Sequence, residues 1–123
     1  MKKAIIVVGR HHVGKSLTIN EHLKPLLGIG YDAHKFTLGS KRGYILSQSF
    51  EESLRKCLEH SEKYFAYDLL VFAARPETEK GSKLNLICDA LRQASFNVKT
   101  VCIQDKSEAP KKASEIFDLL NSN

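Results

Sequence analysis

Eight consecutive residues carry the most specific chemistry in this 123-residue chain: Gly9-Arg10-His11-His12-Val13-Gly14-Lys15-Ser16. They fit GxxxxGK[ST] at every constrained position. The two glycines let the backbone wrap a concavity into which successive N–H groups point. Lys15 can reach β and γ phosphates, and Ser16 can set its hydroxyl on Mg²⁺. The start of a following helix adds its positive dipole end at the same point. The expected ligand-binding set is therefore Gly9, Arg10, His11, His12, Val13, Gly14, Lys15, Ser16 and the next residue, Leu17, with Ser16 as the metal-binding residue. His11 and His12 hold variable positions whose amides touch phosphate while their rings face outward. Neighbouring residues rarely aim at one ion, so no metal role is assigned to the pair.

Such a loop needs a strand before it and a helix after it, and both are legible. Ala4-Ile5-Ile6-Val7-Val8 is an unbroken apolar, largely β-branched run that ends at Gly9, the pattern of a strand buried on both faces. From Lys15 the apolar residues Ile19, Leu23, Leu26 and Leu27 predict one face of an amphipathic helix, kinked at Pro25 and ended by Gly28. Tyr31–Leu38 and Tyr44–Leu46 flank the turn-rich Gly39-Ser40-Lys41-Arg42-Gly43, which predicts a small hairpin with a five-residue connection. Ser49-Phe50-Glu51-Glu52 is a capping box opening a helix with Phe50, Leu54, Cys57 and Leu58 on one face. Leu69–Ala74 predicts a second buried strand, stopped by Arg75-Pro76. Leu84, Ile87, Cys88 and Leu91 mark a helix and Val98–Ile103 a strand. Ala113, Ile116, Phe117 and Leu120 mark a last helix, with Pro110 in its first turn. Strand and helix alternate throughout. The expected fold is one α/β domain over residues 1–123, a three-layer sandwich with a mostly parallel sheet and a small β-hairpin.

Through residues 4–27 the chain resembles the P-loop NTPases, and through the rest of its α/β pattern it is similar to them only in general terms. The resemblance implies binding of ATP or GTP with Mg²⁺, often with hydrolysis or phosphoryl transfer, in which Lys15 acts on the transferred group. In that family a second strand commonly ends in an aspartate that orients a magnesium-bound water. Here the corresponding strand ends Ala73-Ala74-Arg75-Pro76-Glu77, and Asp68 stands at its other end. Glu77 is the candidate surrogate acid, just past the strand end where α/β proteins bind ligands. Arg75 is a candidate for stabilising charge on a moving phosphoryl group. Asp32 stands where P-loop kinases often place an acid for the acceptor, and it is equally an ordinary turn residue. Lys35, Lys41 and Arg42 could close the hairpin over phosphates or remain a solvated turn, and Gln48 could sense a γ phosphate. The N/T-K-x-D base-reading motif of GTPases is absent, which favours ATP.

Charge is uneven. Residues 1–43 hold eight Lys/Arg against two acids, and residues 44–123 hold eleven against twelve, so the whole excess of +5 lies in the first third. An anionic ligand is expected there. One phosphate pocket accounts for part of that excess, and no aromatic residues are interleaved with the basic ones as stacking platforms, so nucleic acid is not an expected partner. The longest apolar runs fall far short of the roughly 20 residues a bilayer requires, and the start lacks a signal-peptide pattern. Three widely spaced cysteines, Cys57, Cys88 and Cys102, read as reduced core residues. A cytoplasmic protein without membrane contact is the expectation. Two functions are open: a Mg·ATP-dependent kinase or NTPase acting on a small-molecule acceptor, and a non-catalytic nucleotide-sensing module acting through a partner protein.

Overall fold

The computed structural model describes residues 2–10, 13–49, 64–76, 78, 80, 82 and 84–122. The helix expected from Ser49 onward, with Cys57, lies outside the described residues. So do His11, His12 and Glu77.

The first apolar run forms β1 (Lys2–Val8), buried from Lys3 to Val8. Then come β2 (Lys35–Leu38), β3 (Lys41–Ser49) and β4 (Leu69–Ala74), the last buried along its whole length. The final strand, β5, runs Phe96–Cys102. The protein is mixed α/β with one five-stranded, mostly parallel sheet in the order β2-β3-β4-β1-β5. β1 lies between β4 and β5 and is parallel to both, β3 is parallel to β4, and only β2 is antiparallel. Strand side chains alternate between faces. Ile5 and Val7 accordingly join Val71, Val101 and Ile116 in one apolar cluster, while Ala4, Ile6 and Val8 join Leu70, Phe72 and Leu91 in another. Central strands thus need apolar residues at every position, which is why both were legible as unbroken runs.

Helix α1 is a composite of an α-turn at Lys15–Leu17, a π-helical stretch at Thr18–Leu23 and an α-turn at Lys24–Leu26. Pro25 has no N–H to give the carbonyl four residues back, and its ring would crowd it. The expected kink is replaced by wider winding in the turns just before Pro25. That winding puts fewer degrees between successive residues, so Ile19, Leu23 and Leu27 align toward the core. Leu26 rotates outward to 48 % exposure, against its expected place on the core face. The helix ends as expected at Gly28, whose φ is +75°. Gly28 N–H donates to Pro25 O and Ile29 N–H to Lys24 O, both at 3.1 Å, the paired bonds of a Schellman cap.

Helices α2 (Leu84–Gln93) and α3 (Ala109–Asn121) bury the expected apolar sets, except that Leu84 and Phe117 are only half-buried. A short 3₁₀ turn, Lys106–Glu108, leads into α3. Cys88 is buried, and burial pushes its thiol pKa up; Cys102 is exposed, contrary to the core reading, because it sits at the end of edge strand β5. Among the described residues no helix is long and apolar enough to cross a membrane.

The hairpin exists, with a tighter turn than expected. β2 begins at Lys35 and not at Tyr31, and Leu38 pairs directly with Lys41, leaving only Gly39 and Ser40 between strands. Gly39 has φ +62°, the left-handed geometry a two-residue hairpin with glycine first requires. Lys41, Arg42 and Gly43 are strand residues of β3, two charged and one a glycine, a composition that disguises them as a loop. Across the pair, the Phe36 ring lies over Gly43 so closely that any Cβ there would enter the ring. Gly43→Ala should lower stability by about 1–3 kcal/mol through overpacking. In Phe36→Leu the same change should cost clearly less; additive losses in urea denaturation would show that the ring does not press on Gly43.

Candidate functional site

Three parallel strands, β4, β1 and β5, end side by side, and the 9–14 loop leaves from the middle one. Gly9 N–H donates to Ala74 O at 3.2 Å, and Ile103 N–H donates to Val8 O at 2.8 Å. A Cβ on Gly9 would stand 2.6 Å from Val13 Cγ2 and 2.9 Å from both Cγ2 and O of Ile103. Only hydrogen fits. At the other end of the loop Gly14 has φ +105°, and a Cβ there would meet Lys106 Cγ at 3.1 Å and its Cα at 3.2 Å. Both glycines are therefore demanded by the backbone, one by close approach and one by conformation.

The connection after β1 runs toward the β2–β3 side, whereas the one after β4 runs the other way to β5. Open parallel sheets hold ligands at the crevice such a divergence makes. A cavity of about 410 Å³ lies there, walled by Gly9, Arg10 and Val13 of the loop, Pro76 and Thr78 after β4, and Gln104 after β5. That volume falls in the range of small-molecule sites.

Lys15, the first residue of α1, is only 6 % exposed, and its ammonium donates across the loop to Gly9 O. Arg10 O accepts from Val13 N–H at 3.3 Å. Gly14 O accepts twice from Thr18, from its N–H at 2.9 Å and its hydroxyl at 2.8 Å. The loop thus turns three carbonyls to donors of its own chain. The amides of Gly14 and Ser16, at the helix start, precede any intrahelical carbonyl, so the end of the helix is a donor surface with a positive dipole behind it.

Ser16 is exposed, and its Oγ accepts from Asn20 Nδ2 at 3.4 Å. Asn20 is itself buried, and its Oδ1 has no hydrogen-bond partner among the described residues. Asn20 thus orients the Ser16 hydroxyl from one turn below. The motif alone did not reveal it, although the four-residue spacing from Ser16 on an expected helix was a usable signal. Among the described residues no group of three His, Cys, Asp or Glu could hold a metal ion. The donor available at the loop is a hydroxyl, suited to a hard cation that also takes phosphate oxygens and waters.

The loop rests on the turn after β5. Asp105 Oδ2 accepts from Ser107 N–H at 3.1 Å and from its hydroxyl, while Glu108 Oε1 accepts from the N–H groups of Gln104 (3.0 Å) and Asp105 (3.1 Å). This capping box fixes Lys106 under Gly14.

Of the other candidates, Arg75 lies at the same end, directly after the Ala74 carbonyl that holds Gly9, with its own carbonyl accepting from Ser82 Oγ at 2.9 Å. β3 continues through Gln48 to Ser49, in register with Ala73, so its backbone also reaches this end. Asp32 does not. It follows the far end of α1, away from the loop, and its charge acts on Lys24. Lys35, Lys41 and Arg42 also stand toward the opposite end, because β3 begins where the parallel strands begin. The hairpin tip cannot close over the loop. Asp68 lies at the start of β4, as expected, and its Oδ2 accepts from Arg42 N–H at 3.2 Å. Compared with known proteins, the chain matches no family model, no curated protein and no solved structure.

The supporting turn has a pH signature. The hydroxyl and amide of Ser107 hold the Asp105 carboxyl below its ordinary 3.8, so it stays ionised in the fold where a free one would take up a proton. The stability it lends is complete above 3.8 and is lost as pH falls from there through the lower folded value. Urea midpoints should fall more steeply with acid over that interval in the natural protein than in Asp105→Asn. Equal slopes would remove Asp105 from the support of the loop.

Proposed function

We propose that this chain binds a nucleoside triphosphate, ATP in preference to GTP, through Gly9–Ser16, in a P-loop NTPase-like three-layer α/β fold. The observation that carries the reading is the loop's construction: a buried strand end with no room for a Cβ, a left-handed glycine at the helix start, and a buried lysine bridging the two. A chain of phosphates offers several acceptors at short spacing, which matches first-turn amides and one ammonium better than a single carboxylate would. Gly9, Arg10, His11, His12 and Val13 form the cradle, Gly14 and Leu17 flank the helix start, and Lys15 transfers its ammonium from Gly9 O to the β and γ phosphates. Ser16, oriented by Asn20, is the residue that would hold Mg²⁺, which would supply positive charge against the terminal phosphates. Arg75 is the cation beside the strand end available for charge developing on a transferred group, and Glu77 remains the proposed acid.

The second reading, a nucleotide-sensing module acting through a partner, is favoured by one observation. The carboxylates of the turn beside the loop, Asp105 and Glu108, are spent on capping bonds, and Asp32 and Asp68 stand at the other end of the sheet.

Lys15→Ala should fold normally and lose roughly 10- to 100-fold in affinity for Mg·ATP, the worth of a hydrogen bond to a charged group. Calorimetric titration of both proteins checks this; equal dissociation constants would end the phosphate-loop reading. Phosphate release from labelled ATP, with and without small-molecule acceptors, separates the two functions. Tight binding with background turnover selects the module.

A further inference from the structure

The fold divides the N-terminal charge excess in a way the sequence did not show. Of the eight Lys/Arg in residues 1–43, only Arg10 and Lys15 belong to the loop. Lys2 and Lys3 open β1, Lys24 is in the last turn of α1, Lys35 opens β2, and Lys41 and Arg42 open β3. The pairing Lys35–Tyr44–Leu70–Ala4 puts all the strand lysines toward the N-terminal end of the parallel strands, away from the loop. The described carboxylates on or next to these elements are the exposed Glu21 of α1, Asp32, whose charge acts on Lys24, and Asp68, already bonded to Arg42 N–H. Burial and then the charge of Lys41 lower the pKa of Lys3, so cations here crowd one another.

At this end lies a second cavity, about 410 Å³, between the 27–29 turn and the hairpin, with Lys35, Thr37, Arg42 and Tyr67 among its walls. Lys35, Thr37 and Arg42 are exposed. The Arg42 guanidinium lies 5.6 Å from the Tyr67 ring centre, and the Lys24 ammonium 5.9 Å from that of Tyr31. Lys24 also donates to the main-chain O of Tyr31 at 2.6 Å, which holds the backbone beneath a tyrosine that is 60 % exposed and follows Ile29 of the cavity wall by two residues. Aromatic rings and basic groups that are scattered in sequence are thus interleaved in space.

We propose that this basic cavity binds single-stranded nucleic acid, with Lys35 and Arg42 on its phosphates and the exposed ring of Tyr31 under a base. Cations alone would suit an acidic peptide or an anionic lipid surface equally well. An exposed aromatic ring two residues from the cavity wall adds what bases use and those ligands do not. The site shares no residue with the Gly9–Ser16 loop and does not depend on nucleotide binding there.

The test is fluorescence anisotropy of a labelled oligothymidylate of about 12 nucleotides, within the span one small domain covers, titrated with the full chain at several salt concentrations. The natural protein should bind. Lys35→Ala with Arg42→Ala should weaken binding at least tenfold and reduce the slope of log K against log salt by about 1.4, two phosphate contacts on a single strand. Tyr31→Ala should lose roughly tenfold with the salt slope unchanged, while Lys99→Ala, a charge loss on β5, should change little. Thermal melting confirms that each variant is folded. Absence of binding overturns the proposal, as does equal weakening by Lys99→Ala, or insensitivity to Tyr31→Ala. Tighter capture by phosphatidylserine vesicles or polyglutamate than by the oligonucleotide overturns it too.

Discussion

The site depends on a contact that leaves no room for a carbon atom. Where β1 hands over to its loop, Gly9 is pressed between the Val13 side chain and the side chain and carbonyl of Ile103, and its N–H is tied to Ala74 O. A methyl group there would push the loop off β5 or pull β1 out of line with β4. The loop is clamped a second time at Gly14, over Lys106. Because both clamps bear on the segment following β5, the last third of the chain shapes a loop that lies within its first sixteen residues. The capping box of Asp105 and Glu108, far from the motif in sequence, is therefore part of the loop's geometry.

What was legible in the sequence follows from what neighbouring strands impose. β1 and β4 are covered on both faces and had to be unbroken apolar runs, so their limits were readable almost to the residue. β5 is an edge strand; Asn97, Lys99, Thr100 and Cys102 are exposed, so its first two residues, Phe96 and Asn97, carry no strand pattern, and its cysteine reads as core from the sequence alone. The hairpin turn reads too long for a related reason, because Lys41 and Arg42 are strand residues, one half-buried and the other exposed. In α1 the apolar spacing identified the helix but not its winding. The wider turns lie just before Pro25, which has no N–H to continue the i to i−4 ladder, and that winding leaves no mark in hydrophobic periodicity. Leu26 was consequently placed on the wrong side. Asn20 was passed over because a polar residue inside a helix reads as surface until its neighbours are known.

Summing charge along the chain hid a physical distinction of another kind. In a parallel sheet every strand begins at one end and finishes at the other, so residues adjacent in sequence but on opposite ends of a strand or helix belong to different surfaces. Lys3 and Arg10 are separated by one strand, Lys15 and Lys24 by one helix. A single local sum of +6 over residues 1–43 therefore describes two surfaces back to back, and a reading that assigns all of it to one pocket overcounts that pocket.

The anions proposed for the two surfaces would be held by different means, because α1 runs between them. An anion at the loop meets the positive end of the helix and first-turn amides, so the backbone supplies much of the field and little side-chain charge is needed. The opposite cavity begins at Leu27, beyond the negative end of the same helix. The buried Lys24 ammonium reaches past those last carbonyls to Tyr31 O, answering the dipole before any ligand does. Attraction for an anion there has to come from side chains standing outside the helix, Lys35 and Arg42, supported by Lys41. Fixed amides discriminate by geometry and are little screened, whereas exposed lysine and arginine attract over a distance that salt sets. That contrast explains why one end of the molecule carries a tight eight-residue motif and the other a loose accumulation of charge around an aromatic ring.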